Sequence, residues 1–510
     1  MPITVKELIV VIGISVAVFY FARPIATLFM TQQDFGRRRN VWYALTCAAF
    51  LSPSFWVCAL IATIVLSYAA KKDSNSAALY VLVLHAIPPS TLPVPMIGMS
   101  SLFDLDINLL LSFCLLAPTA WRLARTPDVR FRRLRAFDIL LASYGFLTSI
   151  LYVRLQDQSG RLFEITFTDC LRRAFVFFFA IYLPYYVISR SVVKKPALVE
   201  VLASFCLSGV LMATIAMFES VRHWLLYPDI LRAWNIGGGT NYLLRGDSLR
   251  AMASSGHPLS LGYLLAIAFG FWLCLQNSVG PRRRIFVSAL LWLGLIASYS
   301  RGPWVGAIAI YFAFALLKPG RIRSLVRAVA LSVSVLAAIS ISPLADKIIR
   351  VIPFLGGTID SGNIVYRQRL FDRSWQIIEQ SPMFGDQGAL LKMQDLRQGE
   401  GIIDMVNTYL QILLDNGFVG LILFLAFISL AAFQAFVLTN RLAKSDPDTS
   451  QLGASLVACT VGTLIMIESG GSDRVMISVL VGLLGAYSCL AAPPKFPVWS
   501  DPKLNRTQSH

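Results

Sequence analysis

The sequence predicts an all-α polytopic membrane protein, a chain that crosses a lipid bilayer many times as helices. Of its 510 residues, 56% are hydrophobic and 14% are charged, and the mean hydropathy is +0.65. Soluble domains carry about 25% charged residues, so this composition disfavours a water-soluble globular enzyme. Long apolar runs recur along the chain, and clusters of basic residues separate them.

The apolar runs set the expected number of spans. A bilayer core about 30 Å thick needs roughly 20 apolar residues per helix. Uninterrupted runs lie at 8–29, 201–217, 259–275, 325–341 and 419–436. Two further runs are broken, residues 41–70 at Ser52-Pro53 and residues 77–98 by four prolines. We expect about 12 to 15 transmembrane helices.

Basic residues in the short connectors predict the orientation, because Lys and Arg are retained on the cytoplasmic side. Clusters lie at 37–39, 71–72, 122–135, 194–195, 282–284, 318–327 and 441–444. Even numbers of predicted spans separate successive clusters. This pattern places the C-terminus in the cytoplasm and the N-terminus outside.

On this topology the chain divides into six segments. They are N-terminal transmembrane helices (1–218), a first outer loop (219–257), central transmembrane helices with a tight turn around Arg301 (258–342), a large outer loop (343–405), C-terminal transmembrane helices (406–492) and a cytoplasmic tail (493–510). Apolar residues at helical spacing predict a helix over 366–379 in the large loop, ended by Ser381-Pro382 and Gly385.

Common catalytic signatures are absent from the sequence. It has no Walker loop, dinucleotide fingerprint, GxSxG elbow or metal-ligand spacing, so we expect no metal and no cofactor. A formal net charge of +17 would suggest nucleic acid in a soluble protein. Here most of the positive charge lies in the connectors between predicted spans. We therefore expect the lipid bilayer to be the partner of these charges, and we expect no nucleic acid partner.

Arginines at helix ends on the outer side are candidate functional residues, because the retention bias runs against them there. They are Arg245 with Arg250, Arg301, and Arg367 with Arg369. The guanidinium fork fits phosphate bidentately, and a lipid-linked phosphate would arrive at this depth. Structural alternatives remain open: a salt bridge or headgroup contact for Arg301, and a solvated helix face for the last two.

Short motifs follow one another between residues 250 and 424. They are Ser300-Arg301-Gly302 between two spans, Arg367 fifteen residues before Pro382-Met-Phe-Gly385, Asn407-Thr-Tyr409-Leu410, and Asn416-Gly417-Phe-Val-Gly420-Leu. In this order and on this topology, they resemble the O-antigen ligase and Wzy polymerase superfamily.

The resemblance implies a multi-spanning transferase of the GT-C type, active on the periplasmic side of the bacterial inner membrane without metal or nucleotide. Such proteins pass a glycan from an undecaprenyl-pyrophosphate carrier to an acceptor hydroxyl and invert the anomeric centre. It implies pyrophosphate binding by Arg250, Arg301 and Arg367, with the last two as catalytic candidates. The other implied substrate-binding candidates are Arg245, Arg369, Asn407 and Tyr409.

One position departs from the family pattern. The ligases have a histidine, the suggested base, before the Asn of the third motif, where this sequence has Val406. A valine side chain cannot accept a proton, so another base is needed. The candidates are His257, Asp404, Glu468 and Asp473, and His257 can equally cap the helix that follows it.

The departure favours a polymerase, which joins lipid-linked repeat units into exopolysaccharide or O-antigen. Donor and acceptor would then both be undecaprenyl-pyrophosphate-linked oligosaccharides, with a chain-length regulator or export complex as a further partner. The alternative within the family is a ligase that transfers glycan to lipid A-core or protein. An alternative of another class is a flippase, which is expected to have two related halves, and the sequence shows no such internal symmetry.

Overall fold

The computed structural model describes residues 3–95, 101–125, 129–155, 167–236, 244–245, 248–318, 326, 361–397, 403–468, 470 and 474–490. Within these ranges the chain is almost entirely helical, and its strands form two short antiparallel hairpins.

The helices and strands are labelled in chain order. The helices are α1 (Ile3–Ala26), α2 (Gln32–Leu51), α3 (Phe55–Lys72), α4 (Ser76–Val83), α5 (Ile107–Arg125), α6 (Arg135–Ile150), α7 (Phe167–Ser191), α8 (Lys195–Arg222), α9 (Pro228–Ala233), α10 (Pro258–Leu275), α11 (Pro281–Ala297), α12 (Arg301–Leu317), α13 (Ser361–Gln380), α14 (Thr408–Leu442), α15 (Pro447–Met466) and α16 (Arg474–Leu490). The strands are β1 (Thr91–Pro93), β2 (Asp104–Asp106), β3 (Leu244–Arg245) and β4 (Ser248–Leu249).

Nine helices in the described ranges are long and apolar enough to cross a membrane, and α12 and α16 are shorter apolar helices. This confirms the predicted class, an all-α polytopic membrane protein. The expected total of 12 to 15 spans stays a prediction, because most of the apolar run at 325–341 lies outside the described residues.

Prolines end two of the predicted spans, with different results. Residues 41–70 form two helices separated at Ser52-Pro53, as predicted. Residues 77–95, the described part of the second run, do not form a span, because α4 stops at Val83 and the chain continues into β1, which pairs with β2. The reason is local: Pro88 and Pro89 lack the backbone N–H that an α-helix needs to continue.

The long helices pack around a central pair. Both α8 and α10 are buried along most of their length and contact each other. Around them, α12 packs along α15, α14 packs between α15 and α6, and α16 packs against α7. The predicted outer helix over 366–379 is confirmed as the central part of α13.

A buried ion-pair cluster joins α2 to the middle of the bundle. The guanidinium of Arg38 bonds Asp73 through two contacts of 2.7 and 3.0 Å and Glu200 at 2.8 Å. It also donates to Ser204 Oγ at 3.3 Å. The sequence placed Arg38 in a connector cluster that sets orientation; the structure adds a packing role, because its side chain is fully buried.

Replacing Arg38 by alanine should destabilise the fold strongly, because Asp73 and Glu200 would remain with no cation between them. Breaking a buried pair costs about 3–5 kcal/mol. We expect a clear drop in the apparent melting midpoint of the detergent-solubilised Arg38→Ala protein. Arg39 bonds only its neighbour Asn40 among the described residues, so Arg39→Ala is the control; equal losses in the two variants would contradict this role.

Candidate functional site

The turn between α11 and α12 is short and internally bonded. Ser298 Oγ donates to Leu295 O at 2.7 Å, and Trp304 Nε1 donates to the same carbonyl at 2.8 Å. Tyr299 adopts a left-handed backbone with φ of 46°, which lets the chain reverse between two helices. Arg301 is therefore the first residue of α12, as the predicted tight turn requires.

Arg250 joins the first outer loop to this turn. Its buried guanidinium donates from Nη2 to Ser300 Oγ at 3.1 Å. The next residue, Ala251, donates its backbone N–H to Ala297 O at 3.0 Å. Two motifs that lie 50 residues apart in the sequence thus form one structural unit with Arg250 and Arg301 on it.

Glu219 holds the loop in place and was missed by the sequence analysis. It lies in the last turn of α8, which runs past the predicted loop start at residue 219 to Arg222. Its carboxylate accepts three backbone N–H groups, those of Leu226 at 3.0 Å, Met252 at 3.1 Å and Ala253 at 2.8 Å. In the sequence, the only indication of this role is that Glu219 is an acidic residue at the end of an apolar helix.

Arg301 contains a buried polar atom with no partner. Its Nε atom makes no hydrogen bond, and no carboxylate of the described residues lies within ion-pair distance of its guanidinium. Within the described residues, therefore, no acid is close enough to form the salt bridge that the sequence left open as an alternative for Arg301. Buried polar groups are nearly always bonded, so Arg301 is suited to an anionic ligand.

Three helix beginnings surround these arginines. Pro303 in the first turn of α12 packs against Gly262 in α10. Tyr263 in α10 donates its hydroxyl to Met466 O at 2.7 Å, and Thr408 N, at the start of α14, donates to Ile467 O at 3.0 Å. Because helix N-termini carry partial positive charge, the beginnings of α10, α12 and α14 add to the attraction of an anion.

His257 caps α10 in this structure. Its Nδ1 accepts a hydrogen bond from Leu259 N at 3.1 Å. Burial, and then the charge of Arg250, lowers the pKa of His257 to about 4. The imidazole is therefore neutral near pH 7, and the ring nitrogen that lacks a proton is used by the cap. The capping alternative holds, and a role as base stays a prediction.

Asp404 connects the outer helix to the arginine cluster. Tyr366 Oη donates to Asp404 O at 3.2 Å and accepts from Asp404 N at 3.0 Å, which fixes the chain there against α13. Desolvation raises the pKa of the Asp404 carboxyl group, and the charges of Arg367 and Arg250 oppose that rise. Arg367 and Arg250 therefore both lie within electrostatic range of one carboxylate.

Asn407 and Tyr409 hold the start of α14. Asn407 Oδ1 caps the helix by accepting from Leu410 N at 3.0 Å, and Tyr409 Oη donates to Leu464 O at 2.6 Å. Their predicted contact with substrate is untested. Arg369 and Glu468 are exposed, while the side chain of Arg245 and all of Asp473 lie outside the described residues.

The two glycine motifs of the outer segment interlock. Phe418 N donates to Pro382 O at 2.9 Å, and Val419 N donates to Met383 O at 3.2 Å. Gly385 and Gly417 both have positive φ, and a Cβ on Gly417 would lie 2.4 Å from the Met383 carbonyl. The end of α13 is thus seated in a kink of α14, which fixes the outer helix to a membrane helix.

A largely apolar cavity lies beside the start of α14, between α6, α7, α14 and α16. Its free volume is about 30 Å³, which is room for one or two water molecules. Thr408, Gln411 and Arg474 line it at the helix beginnings, and Phe424 and Phe427 line it further along α14.

The described residues therefore form a polytopic membrane protein with a cationic site where several helices begin. Residues 285–425, little more than a quarter of the chain, match the family model described as O-antigen ligase. The matched range contains the Arg301 turn, α13 and the interlocked glycine motifs, and it confirms the resemblance to the O-antigen ligase and Wzy superfamily there. The match indicates a membrane glycosyltransferase-like enzyme. A comparison with curated proteins finds no significant match.

Replacing Gly417 by alanine should loosen the joint between α13 and α14. With φ of 63° and ψ of −167°, Gly417 lies in a backbone region that is essentially restricted to glycine, where another residue costs about 1–3 kcal/mol, and the clash with Met383 adds to this cost. We expect faster protease cleavage within 386–397 and a lower melting midpoint. Gly13 in α1 has open space around its Cα, so Gly13→Ala should leave both measurements unchanged; the same change in both variants would argue against the joint.

Proposed function

We propose that this protein is a periplasm-facing inverting glycosyltransferase of the bacterial inner membrane. In this proposal it polymerises undecaprenyl-pyrophosphate-linked oligosaccharide repeat units into exopolysaccharide or O-antigen. The observation that carries the proposal is the unit formed by Arg250, Ser300 and Arg301 at the beginnings of three helices. The family match over residues 285–425 supports the reaction class.

The cationic unit suits the departure of a pyrophosphate. When an acceptor hydroxyl attacks the anomeric carbon, the bond from that carbon to the phosphate oxygen breaks and negative charge grows on the leaving group. Arg301 has a buried donor atom without a partner, and Arg250 is held by Ser300. Donors fixed before the reaction stabilise such charge without having to reorganise.

The acceptor hydroxyl must lose a proton, and Asp404 is the base that we favour. It lies within electrostatic range of both Arg250 and Arg367, so a carboxylate and the pyrophosphate-binding cations share one region. His257 is less suited, because its unprotonated nitrogen caps α10. Glu468 and Asp473 remain alternatives.

Basic clusters at the opposite helix ends, such as Arg282 to Arg284 at the start of α11, favour a periplasmic position for the site. A chain-length regulator or export complex remains part of the proposal.

A ligase that acts on lipid A-core or protein is the second candidate. Val406 argues against it, because the histidine suggested as the ligase base is missing at that position. A flippase is a weaker third candidate, since the sequence lacks the internal symmetry typical of such transporters.

Arg301→Ala should reduce polymer formation by about 10²–10³-fold, the usual loss when one donor to a developing anion is removed. Arg301→Lys keeps the charge but loses the fork, so we expect an intermediate activity. Polymer amount and chain length would be measured at matched protein level. Arg283→Ala, in a connector at the opposite ends of the helices, is the matched control. Full activity of Arg301→Ala would rule out the proposed site.

Lipid-linked intermediates in the same strain distinguish polymerase from ligase. Loss of a polymerase leaves single repeat units on the carrier, whereas loss of a ligase leaves long chains there. We expect single repeat units in the Arg301→Ala strain, and accumulated long chains would instead support the ligase.

Asp404→Asn should lower activity by about 10²–10⁴-fold if Asp404 is the base, while Asp404→Glu should keep part of it. A base works when deprotonated, so activity should fall as pH drops through its pKa. Because that pKa is raised, this fall should begin above the ordinary aspartate range, and Asp404→Asn should lack it. Asp395, exposed in the same outer segment, supplies the control Asp395→Asn. An unchanged pH profile in Asp404→Asn would return the role to Glu468 or Asp473.

A further inference from the structure

A second cleft lies at the opposite end of α14 from the candidate site. Arg133, in the turn before α6, and Arg441, in the last turn of α14, both line it. Ser488 near the end of α16 completes this end of the lining. The straight part of α14 from the kink at Gly417 to Arg441 extends about 36 Å at 1.5 Å per residue, so the cleft lies more than the thickness of a bilayer core from the kink.

Both arginines of the cleft are exposed. Among the described residues, neither Arg133 nor Arg441 makes an ion pair or a side-chain hydrogen bond. Arg190, at the same end of the bundle, instead pairs with Asp138 at 2.5 Å. Asp138 is thus already paired, and the cleft keeps two exposed cations that line one space.

The remainder of the cleft is apolar and faces outward. Phe433 and Val437 line it one to two turns before Arg441, and 63% of the Phe433 side-chain surface is exposed. On a membrane helix, such an exposed apolar side chain faces acyl chains. Phe433 lies about 12 Å along the helix from Arg441, so the arginine is at headgroup level when the phenyl ring is among the acyl chains.

We propose that this cleft is a binding site for an anionic phospholipid, with its phosphodiester held between Arg133 and Arg441 and an acyl chain along Phe433 and Val437. Guanidinium groups bind phosphate oxygens with charge-assisted hydrogen bonds. Basic pockets between helices at the membrane surface are suited to anionic headgroups. About 760 Å³ of unfilled space, part of it open to the surroundings, is present there. This site is independent of the proposed transferase activity.

The test uses the full-length protein in detergent, with lipid binding measured by native mass spectrometry and by the shift of the melting midpoint. Phosphatidylglycerol should bind the wild type more tightly than phosphatidylcholine. Arg133→Gln and Arg441→Gln should each weaken phosphatidylglycerol binding by about fivefold, and the double variant by about twenty-fivefold. Arg283→Gln, an exposed arginine that does not line the cleft, should change nothing.

Three results would overturn the proposal. The first is equal binding of the two lipids to the wild type. The second is a loss in Arg283→Gln as large as that in Arg441→Gln, which would reflect general surface charge. The third is displacement of phosphatidylglycerol by inorganic phosphate at millimolar concentration, which would indicate a site for a free anion. Because both arginines are exposed, the variants should fold, and their melting midpoints without added lipid verify this.

Discussion

The carboxylate of Glu219 is the interaction on which the candidate site depends. Non-helical backbone inside a helical membrane bundle needs a partner for each N–H group, because hydrocarbon supplies none. Glu219 satisfies three such groups, including those of Met252 and Ala253. The loop can therefore fold over the end of α8, and Arg250 is brought to Ser300 as a result.

The outer helix is positioned by a second backbone constraint. The kink at Gly417 exposes N–H groups of α14 that bond the carbonyls of Pro382 and Met383. This joint fixes the C-terminal end of α13. Nearer its N-terminal end, Tyr366 bonds the backbone of Asp404 and fixes that part of the helix as well. These two sets of bonds together fix the position of α13 relative to the start of α14.

Local features of the fold could be predicted from the sequence, whereas long-range ones could not. Hydropathy and helical spacing are local signals, so four of the five uninterrupted apolar runs, the turn at Arg301 and the helix over 366–379 were predicted and confirmed. Glu219 bonds Met252 and Ala253, 33 and 34 residues away, and Arg38 bonds Asp73, 35 residues away; no local pattern records such contacts. Asn407 shows a third case: the motif marked it as important, but the hydrogen bond that it makes is a helix cap.

The formal charge of +17 consists of arginines in different physical states. Arg38 is saturated by two carboxylates and a hydroxyl group, so a further ligand would have to displace bonds that already exist. Arg301 has no carboxylate within ion-pair distance in the described part of the chain and has a buried Nε without a partner. An unbonded buried polar atom costs about 1–3 kcal/mol. A phosphate that accepts a hydrogen bond from Arg301 Nε would remove this cost. A phosphate at Arg38 would gain no such free energy, because the Arg38 guanidinium is already bonded. The supply of nearby carboxylates, more than the number of arginines, therefore decides which arginines of this protein are available to an anion.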